Sequence, residues 1–363
     1  PPFFIDTATT DIYTLSLHDA LPISAATDET QTNWNGLLGY VRLRFEQENF
    51  ISSLRAYPAE DMADVLVEMD CAAPYTGTVF LHSPVFARED ALQVALPTGR
   101  HALRFDKIPL LPGAARWDEG EGVLHDLTVA GDGLSPLTVR FGLRTFTAKA
   151  GRLALNGRHF FLRSEANCCV FPKTGHMPMD VESWMGILST YRSYGVNSMR
   201  FHSHCPPEAA FAAADVLGML MQPELSHWNP RTAFEDDRSW AYYQLEMAQI
   251  LRMAANHPSF VMMTWGNELV AGALGHKRMS LLLQRARSTD PTRLYAQGSN
   301  NHYGQIGADP ASDFYTSANV YGAQMRATSF GMRGYVNEQY PGSATNYDAV
   351  VAGLREEFSG PVF

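Results

Sequence analysis

The period of the apolar residues changes once along this chain, near residue 150, and that change limits the folds open to it. Upstream lie short alternating runs cut by Pro and Gly: ISSLRAYP, DVLVEMDC, GTVFLHSPVF, ALQVALP, HALRFDKI, GVLHDLTVAG and PLTVRFGLRTF. About seven short strands within roughly a hundred residues predict a two-sheet β-sandwich over 48–149, of the immunoglobulin-like kind. Trp117 is expected to fill its core, since sandwich cores favour a buried aromatic. Downstream, strands alternate with helices. Residues 153–167, LALNGRHFFLRSEAN, read as a strand, 182–193 as a helix ended by Gly195, and 196–201 as the next strand. Pro206 and Pro207 open the helix PPEAAFAAADVLG and Gly218 stops it. MLMQPEL reads as a strand, 240–256 as a helix, 260–265 as a strand and 279–288 as a helix; the strands RLYAQGSN and DFYTSANVYG and a helix over 347–358 follow. About six strand-helix units predict an α/β TIM (β/α)8 barrel over 150–363. Such a barrel takes about 250 residues. The chain is therefore expected to hold an incomplete one, ending at GPVF, residues 360–363, where a seventh strand would begin.

The first residues do not behave like the rest. DIYTLSLHDALPIS, residues 11–24, looks like the translation of a common short-read sequencing adapter, so 1–24 are set aside as a scar. On that reading the natural N-terminus, and any secretion signal, lie outside this sequence; an independent clone encoding the same string would refute it. Residues 25–47 hold a turn at Asn35-Gly36 and then an alternating strand with one polar face, too little to be a domain alone.

A net charge of -10 and a pI near 5.6 supply no basic stripe, so nucleic acid and anionic membrane are poor partners and a neutral substrate is easier to accommodate. No apolar run approaches the roughly 20 residues that span a bilayer. Cys71, Cys168, Cys169 and Cys205 show no CxxC spacing, which argues against a disulfide framework or a zinc knuckle. Met177, Met179, Met185 and Met199 read as core filler, and no phosphate loop or dinucleotide fingerprint is present, so no cofactor is expected.

The chemistry concentrates in residues 257–269, HPSFVMMTWGNEL. Residues 260–265 are too apolar for a surface strand and end abruptly in Gly266-Asn267-Glu268, as a buried parallel strand does on opening into a polar mouth. The carboxyl ends of barrel strands carry the chemistry, which makes Glu268 the candidate catalytic acid. A structural role, capping the next helix or pairing with an arginine, is the alternative.

With these residues in view the chain resembles glycoside hydrolase family 2, the β-galactosidases, β-glucuronidases and β-mannosidases. TNWNGLLGYVRL is similar to the last strands of the family's sugar-binding jelly roll; ARWDEGEGVLHDLTV and VRFGLRTF to its sandwich and exit; LALNGRHFFLRSEAN to its first barrel strand; HPSFVMMTWGNEL to its fourth. The resemblance implies a glycoside as substrate, Glu268 as general acid/base, and Asn267 as the donor to the sugar 2-hydroxyl. It also matches Arg200 and His204 to the family's second strand end and Glu224 to its third. HSHCPPE stands where many members have SHYPN, so the subsite around Cys205 is expected to suit a less common sugar. The resemblance puts the nucleophile on strand seven, just beyond Phe363, and a chain without it should be nearly inactive. Glu338, in GYVNEQYPG, is the in-chain alternative, though its surroundings read as a loop.

Retaining glycosidases need two carboxyl groups about 5–5.5 Å apart, one nucleophilic and one acting as acid and then base. Trp265 and Trp228, with Tyr321 and Tyr335, are candidate sugar platforms, or else ordinary packing. Asn300, Asn301 and His302 follow strand five and are placed either for hydroxyls or for a turn. Two rivals remain. His202 and His204 form an HxH pair of the kind found in metal-dependent hydrolases. A non-catalytic carbohydrate-binding barrel would use the same aromatics, with Glu268 as a hydroxyl partner only.

Overall fold

The structure, a computed structural model, describes residues 45–149, 152–229, 231–299, 311–314, 319–320 and 323–324. The expectations for residues 1–24, the turn at Asn35-Gly36, the helix over 347–358, and Asn300, Tyr321, Glu338 and Phe363 lie outside the described residues.

Seven antiparallel strands form the first unit. β1 (Asn49–Pro58), β2 (Met62–Cys71) and β5 (Gly99–Pro109) make one sheet, in the order β1-β2-β5. β3 (Tyr75–His82), β4 (Asp90–Leu96), β6 (His125–Gly131) and β7 (Leu134–Phe141) make the other, in the order β4-β3-β6-β7. Alternate residues of facing strands share one core, with Val65, Val67 and Met69 from β2 meeting Val79, Leu81, Leu127 and Val129. Each such side chain contributes about 1.5–3 kcal/mol on burial. β1 departs from alternation, its last five residues all being buried. The outer face of β1 lies on the second unit: Asn256 accepts from the Ala56 amide (2.9 Å) and donates to the Leu54 carbonyl (2.8 Å).

A small antiparallel sheet comes next, β8 (Phe146–Lys149), β9 (Arg152–Leu155) and β10 (Arg158–Phe160), before the parallel strands begin. This corrects the reading of LALNGRHFFLRSEAN as one barrel strand. Asn156 (φ 50°) and Gly157 (φ 76°) turn the chain back, and the first parallel strand is only β11 (Ser164–Asn167). The hairpin side chains Phe146, Leu153, Leu155 and Phe160 pack with Leu220, Val261, Met262 and Leu294, which begin or immediately precede the parallel strands. The hairpin thus closes the amino-terminal end of the barrel. Trp117 belongs to this floor and not to the sandwich core, with its Nε1 donating to the Asp215 carbonyl at 2.8 Å.

Five parallel strands follow in chain order: β11, β12 (Ser198–Phe201), β13 (Leu220–Gln222), β14 (Met262–Thr264) and β15 (Leu294–Ala296). Single bridges at Met221–Phe260 and Glu224–Thr264 join β13 to β14. The connecting helices are α1 (Val181–Ser193), α2 (Glu208–Leu217), α3 (Asp237–Met253) and α4 (Ala273–Thr289). Asp180 and Asp236 cap α1 and α3 by accepting the Ser183 and Ser239 amides. α2 starts after Pro207 and stops at Gly218, left-handed at φ 64°. Of DFYTSANVYG, read as one strand, the described pieces are Asp313, whose amide donates to the Tyr295 carbonyl (2.8 Å), and Asn319–Val320, paired antiparallel with Ala323–Gln324.

Candidate active site

Arg200, Glu224, Asn267 and Ser299 come from or just beyond the carboxyl ends of β12, β13, β14 and β15 and meet in one hydrogen-bonded group. Glu224 has no exposed surface and accepts from Arg200 Nε at 2.6 Å, the Ser203 amide at 2.7 Å and Thr264 Oγ1 at 3.0 Å, with the Ser299 hydroxyl as a further partner. Burial alone would raise its pKa, but the Arg200 guanidinium and these hydrogen bonds outweigh burial and hold it below the usual carboxylate range. A buried charge pair is tolerable only when its remaining lone pairs are satisfied, as here. That capacity is taken up by protein donors. In the structure Glu224, expected as a substrate contact, is the counter-ion of Arg200.

Arg200 has a second partner. Its terminal nitrogen donates to Asn267 Oδ1 at 2.6 Å. A guanidinium has only donors, so it fixes which way the amide points. Asn267 Nδ2 is then turned away from Arg200, buried and without a protein partner among the described residues. The backbone of this strand end is equally constrained. Gly266 sits at φ 137°, where a Cβ would lie 2.1 Å from the His227 carbonyl oxygen, and Glu268 is left-handed at φ 51°. Such conformations cost about 1–3 kcal/mol for a non-glycine residue and persist only where neighbours impose them. The neighbours are on both sides: the Asn267 amide donates to the His227 carbonyl (3.0 Å), the Glu268 amide to Ser299 O (2.9 Å), and the Ser299 amide to Gly266 O (2.9 Å).

Glu268 is half-buried, and its Oε2 accepts from Trp228 Nε1 at 3.1 Å. Trp228 is half exposed and meets the edge of the His202 ring at 6.2 Å. The structure therefore brings Arg200, Glu224, Asn267, Glu268 and Trp228 together. It does not bring Trp265 with them. That ring is wholly buried, donates to the Met279 carbonyl of α4 (3.1 Å) and stacks on Tyr295, so its expected role as a platform is corrected to core packing. His204 is buried beside the group, its Nδ1 2.9 Å from the His202 carbonyl and its ring against Phe201. Burial drives its pKa down to about 4, and that of His202 downward as well. Among the described residues no three His, Cys, Asp or Glu side chains gather as a metal site requires.

Sequence reasoning missed Ser203, Thr264 and Ser299, which complete the polar group, and Trp228 as a partner of Glu268. Thr264 carried a signal, being the one polar residue inside the apolar run.

The model of the family described as "Glycosyl hydrolases family 2, TIM barrel domain" matches residues 147–347, more than half of the chain. The chain belongs to glycosyl hydrolase family 2. Among curated glycosyl hydrolase relatives it is 24% identical over 183 residues to a β-galactosidase of Photobacterium profundum, covering 49% of this chain and 18% of that one. It is 25% identical over 216 residues to β-galactosidase 2 of Enterobacter cloacae, covering 56% and 19%. The matches thus span less than a fifth of these relatives' length. By fold it is similar to the β-glucuronidase of Parabacteroides merdae (TM-score 0.68, 18% identity, 90% of this chain and 42% of that one). It is similar too to a β-galacturonidase of Eisenbergiella tayi bound to galacturonate (TM-score 0.68, 17% identity, 87% and 56%).

Proposed function

We propose that this glycosyl hydrolase family 2 chain acts on terminal β-linked sugars of the β-galactoside, β-glucuronide or β-mannoside type, by the retaining double displacement. Glu268 is the acid/base, Asn267 Nδ2 the donor to the sugar 2-hydroxyl, and Trp228 the wall of the site. One observation carries the reading: a buried amide donor, aimed by Arg200 and without a protein partner among the described residues, stands next to a carboxylate at a barrel strand end. Hydrogen bonds to the 2-hydroxyl strengthen as the oxocarbenium-like transition state forms. The carboxylate nucleophile comes from outside the described residues, either beyond Phe363 or at Glu338. If it lies beyond Phe363, this chain by itself is nearly inactive. The seven-stranded unit is taken as the family's immunoglobulin-like sandwich (48–149), residues 25–47 as a jelly-roll remnant, and 150–363 as the barrel.

The test compares leaving groups. Glu268→Gln should lower hydrolysis of a β-linked disaccharide by about 10²–10⁴-fold while sparing an aryl glycoside whose leaving group needs no proton. Equal losses on both would remove Glu268 from the acid role. Loss of the residual activity in Glu338→Gln would place the nucleophile inside the chain.

A further inference from the structure

Behind the strand-three end lies a second buried carboxylate that this chemistry does not use. Glu246 is on α3, with 8% of its surface exposed, and its two oxygens lie 3.3 and 3.1 Å from the Ser226 amide. The hydroxyls of Ser226 and Tyr242 hydrogen-bond to it as well, and to one another at 3.2 Å. Tyr243, next on the helix, donates to the Ser226 carbonyl at 3.2 Å. Every polar group of Ser226 is thus held by α3.

Ser226 begins a three-residue arm that grips both members of the Asn267-Glu268 pair. The His227 carbonyl accepts the Asn267 amide at 3.0 Å, and the His227 ring is stacked on Tyr243 at 4.2 Å. Trp228 Nε1 donates to Glu268 Oε2 at 3.1 Å. A 1 Å misplacement of a catalytic group can cost about 10²-fold in rate. Whatever fixes Ser226 therefore acts on the site.

We propose that Glu246 is a positioning residue for Glu268, acting through the arm Ser226-His227-Trp228: its carboxylate anchors Ser226, and the arm carries that anchor to the acid/base. The inference rests on the acid/base reading of Glu268. The titratable groups facing Glu246 are Tyr242 and Tyr243 on its own helix and Cys205 from the loop after β12, with His227 of the arm behind Tyr243. Burial raises both phenols and the thiol and lowers His227 to about 3, so all of them stay neutral around pH 7. Burial also raises Glu246 itself, to about 7, which makes it the group of this cluster that changes charge there.

The experiment uses the full chain labelled with fluorotryptophan, with the Trp228 resonance assigned by Trp228→Phe. In the wild type that fluorine signal should move between about pH 6 and about pH 8. In Glu246→Gln the movement should vanish, while in Glu268→Gln it should persist. On a disaccharide substrate Glu246→Gln should lower kcat about tenfold with KM unchanged, and spare aryl glycosides. A Trp228 signal that titrates unchanged in Glu246→Gln overturns the proposal, and so does one that is flat across this range in the wild type, a result that needs no variant at Glu246. If the signal behaves as expected but Glu268→Gln lowers disaccharide and aryl-glycoside hydrolysis equally, the acid/base reading fails and the link from Glu246 to the arm stands.

Discussion

The two ends of the barrel each hold an arginine, one buried and one largely so, and they use it in opposite ways. At the amino end, among the described residues, Arg144 has no carboxylate at hydrogen-bonding distance. It donates to three backbone carbonyls, Pro258 O (2.9 Å), Thr292 O (2.7 Å) and Phe260 O (2.7 Å), and burial lowers its pKa to about 10. Those carbonyls precede β14 and β15 and have no ladder partner to spare, so the cation completes the backbone accounting where the chain leaves the sandwich. At the carboxyl end Arg200 is matched by Glu224, and its second bond is spent on orienting Asn267. The first end is closed. The second ends on Asn267 Nδ2, a buried donor left without a protein partner among the described residues.

That contrast can be broken in order of size. Glu224→Gln removes the counter-ion of a largely buried arginine and should cost about 3–5 kcal/mol of stability, along with the aim of Asn267. Chemical denaturation reads the first and ligand binding the second; a wild-type-like midpoint would show that the pair is not needed. Arg144→Met leaves three buried carbonyls unpaired and should cost about 3 kcal/mol, yet leave the Trp228 environment unchanged. A shifted Trp228 signal would mean that the two ends are coupled. The third prediction concerns pH. Glu246 has its folded pKa raised from 4.5 to about 7, so between those values the folded chain holds a proton that the unfolded chain has lost. Stability should therefore fall as pH rises across that window, by up to about 3 kcal/mol from this group, and Glu246→Gln should flatten the fall. His204 gives the opposite slope: with its folded pKa pushed down to about 4, its contribution is lost as pH falls below about 6.5. The smallest effect is expected at Trp228→Phe, which removes one half-exposed hydrogen bond to Glu268 and should cost about 1 kcal/mol in turnover and nothing in stability.

How much of this was legible depends on whether a residue's fate is set locally. The strand at 260–265 and its polar end could be read because a strand buried on both faces needs an unbroken apolar run. The ends of α2 were equally local: Pro207 and Gly218 act within one turn. The hairpin floor was misread although Asn156-Gly157 is a strong turn signal, because a run of strand-forming residues on both sides suggested continuity. Trp265 was misassigned by proximity to Glu268. Successive strand residues point to opposite faces, so Thr264 turns inward to Glu224 while Trp265 turns outward to α4. Trp117 could not be placed at all without the tertiary fold, since a sandwich core and a barrel floor ask for the same side chain. The grip of the arm on Glu268 is likewise invisible in sequence, where Trp228 and Glu268 stand far apart.

The most direct test of the central claim, that the unspent Asn267 donor reads a sugar hydroxyl, is a calorimetric cycle. Binding of an iminosugar and of its 2-deoxy analogue would be compared in the wild type and in Asn267→Ala. The account predicts that the 2-hydroxyl strengthens binding by about tenfold in the wild type and contributes nothing in the variant. An equal contribution in both proteins would contradict it.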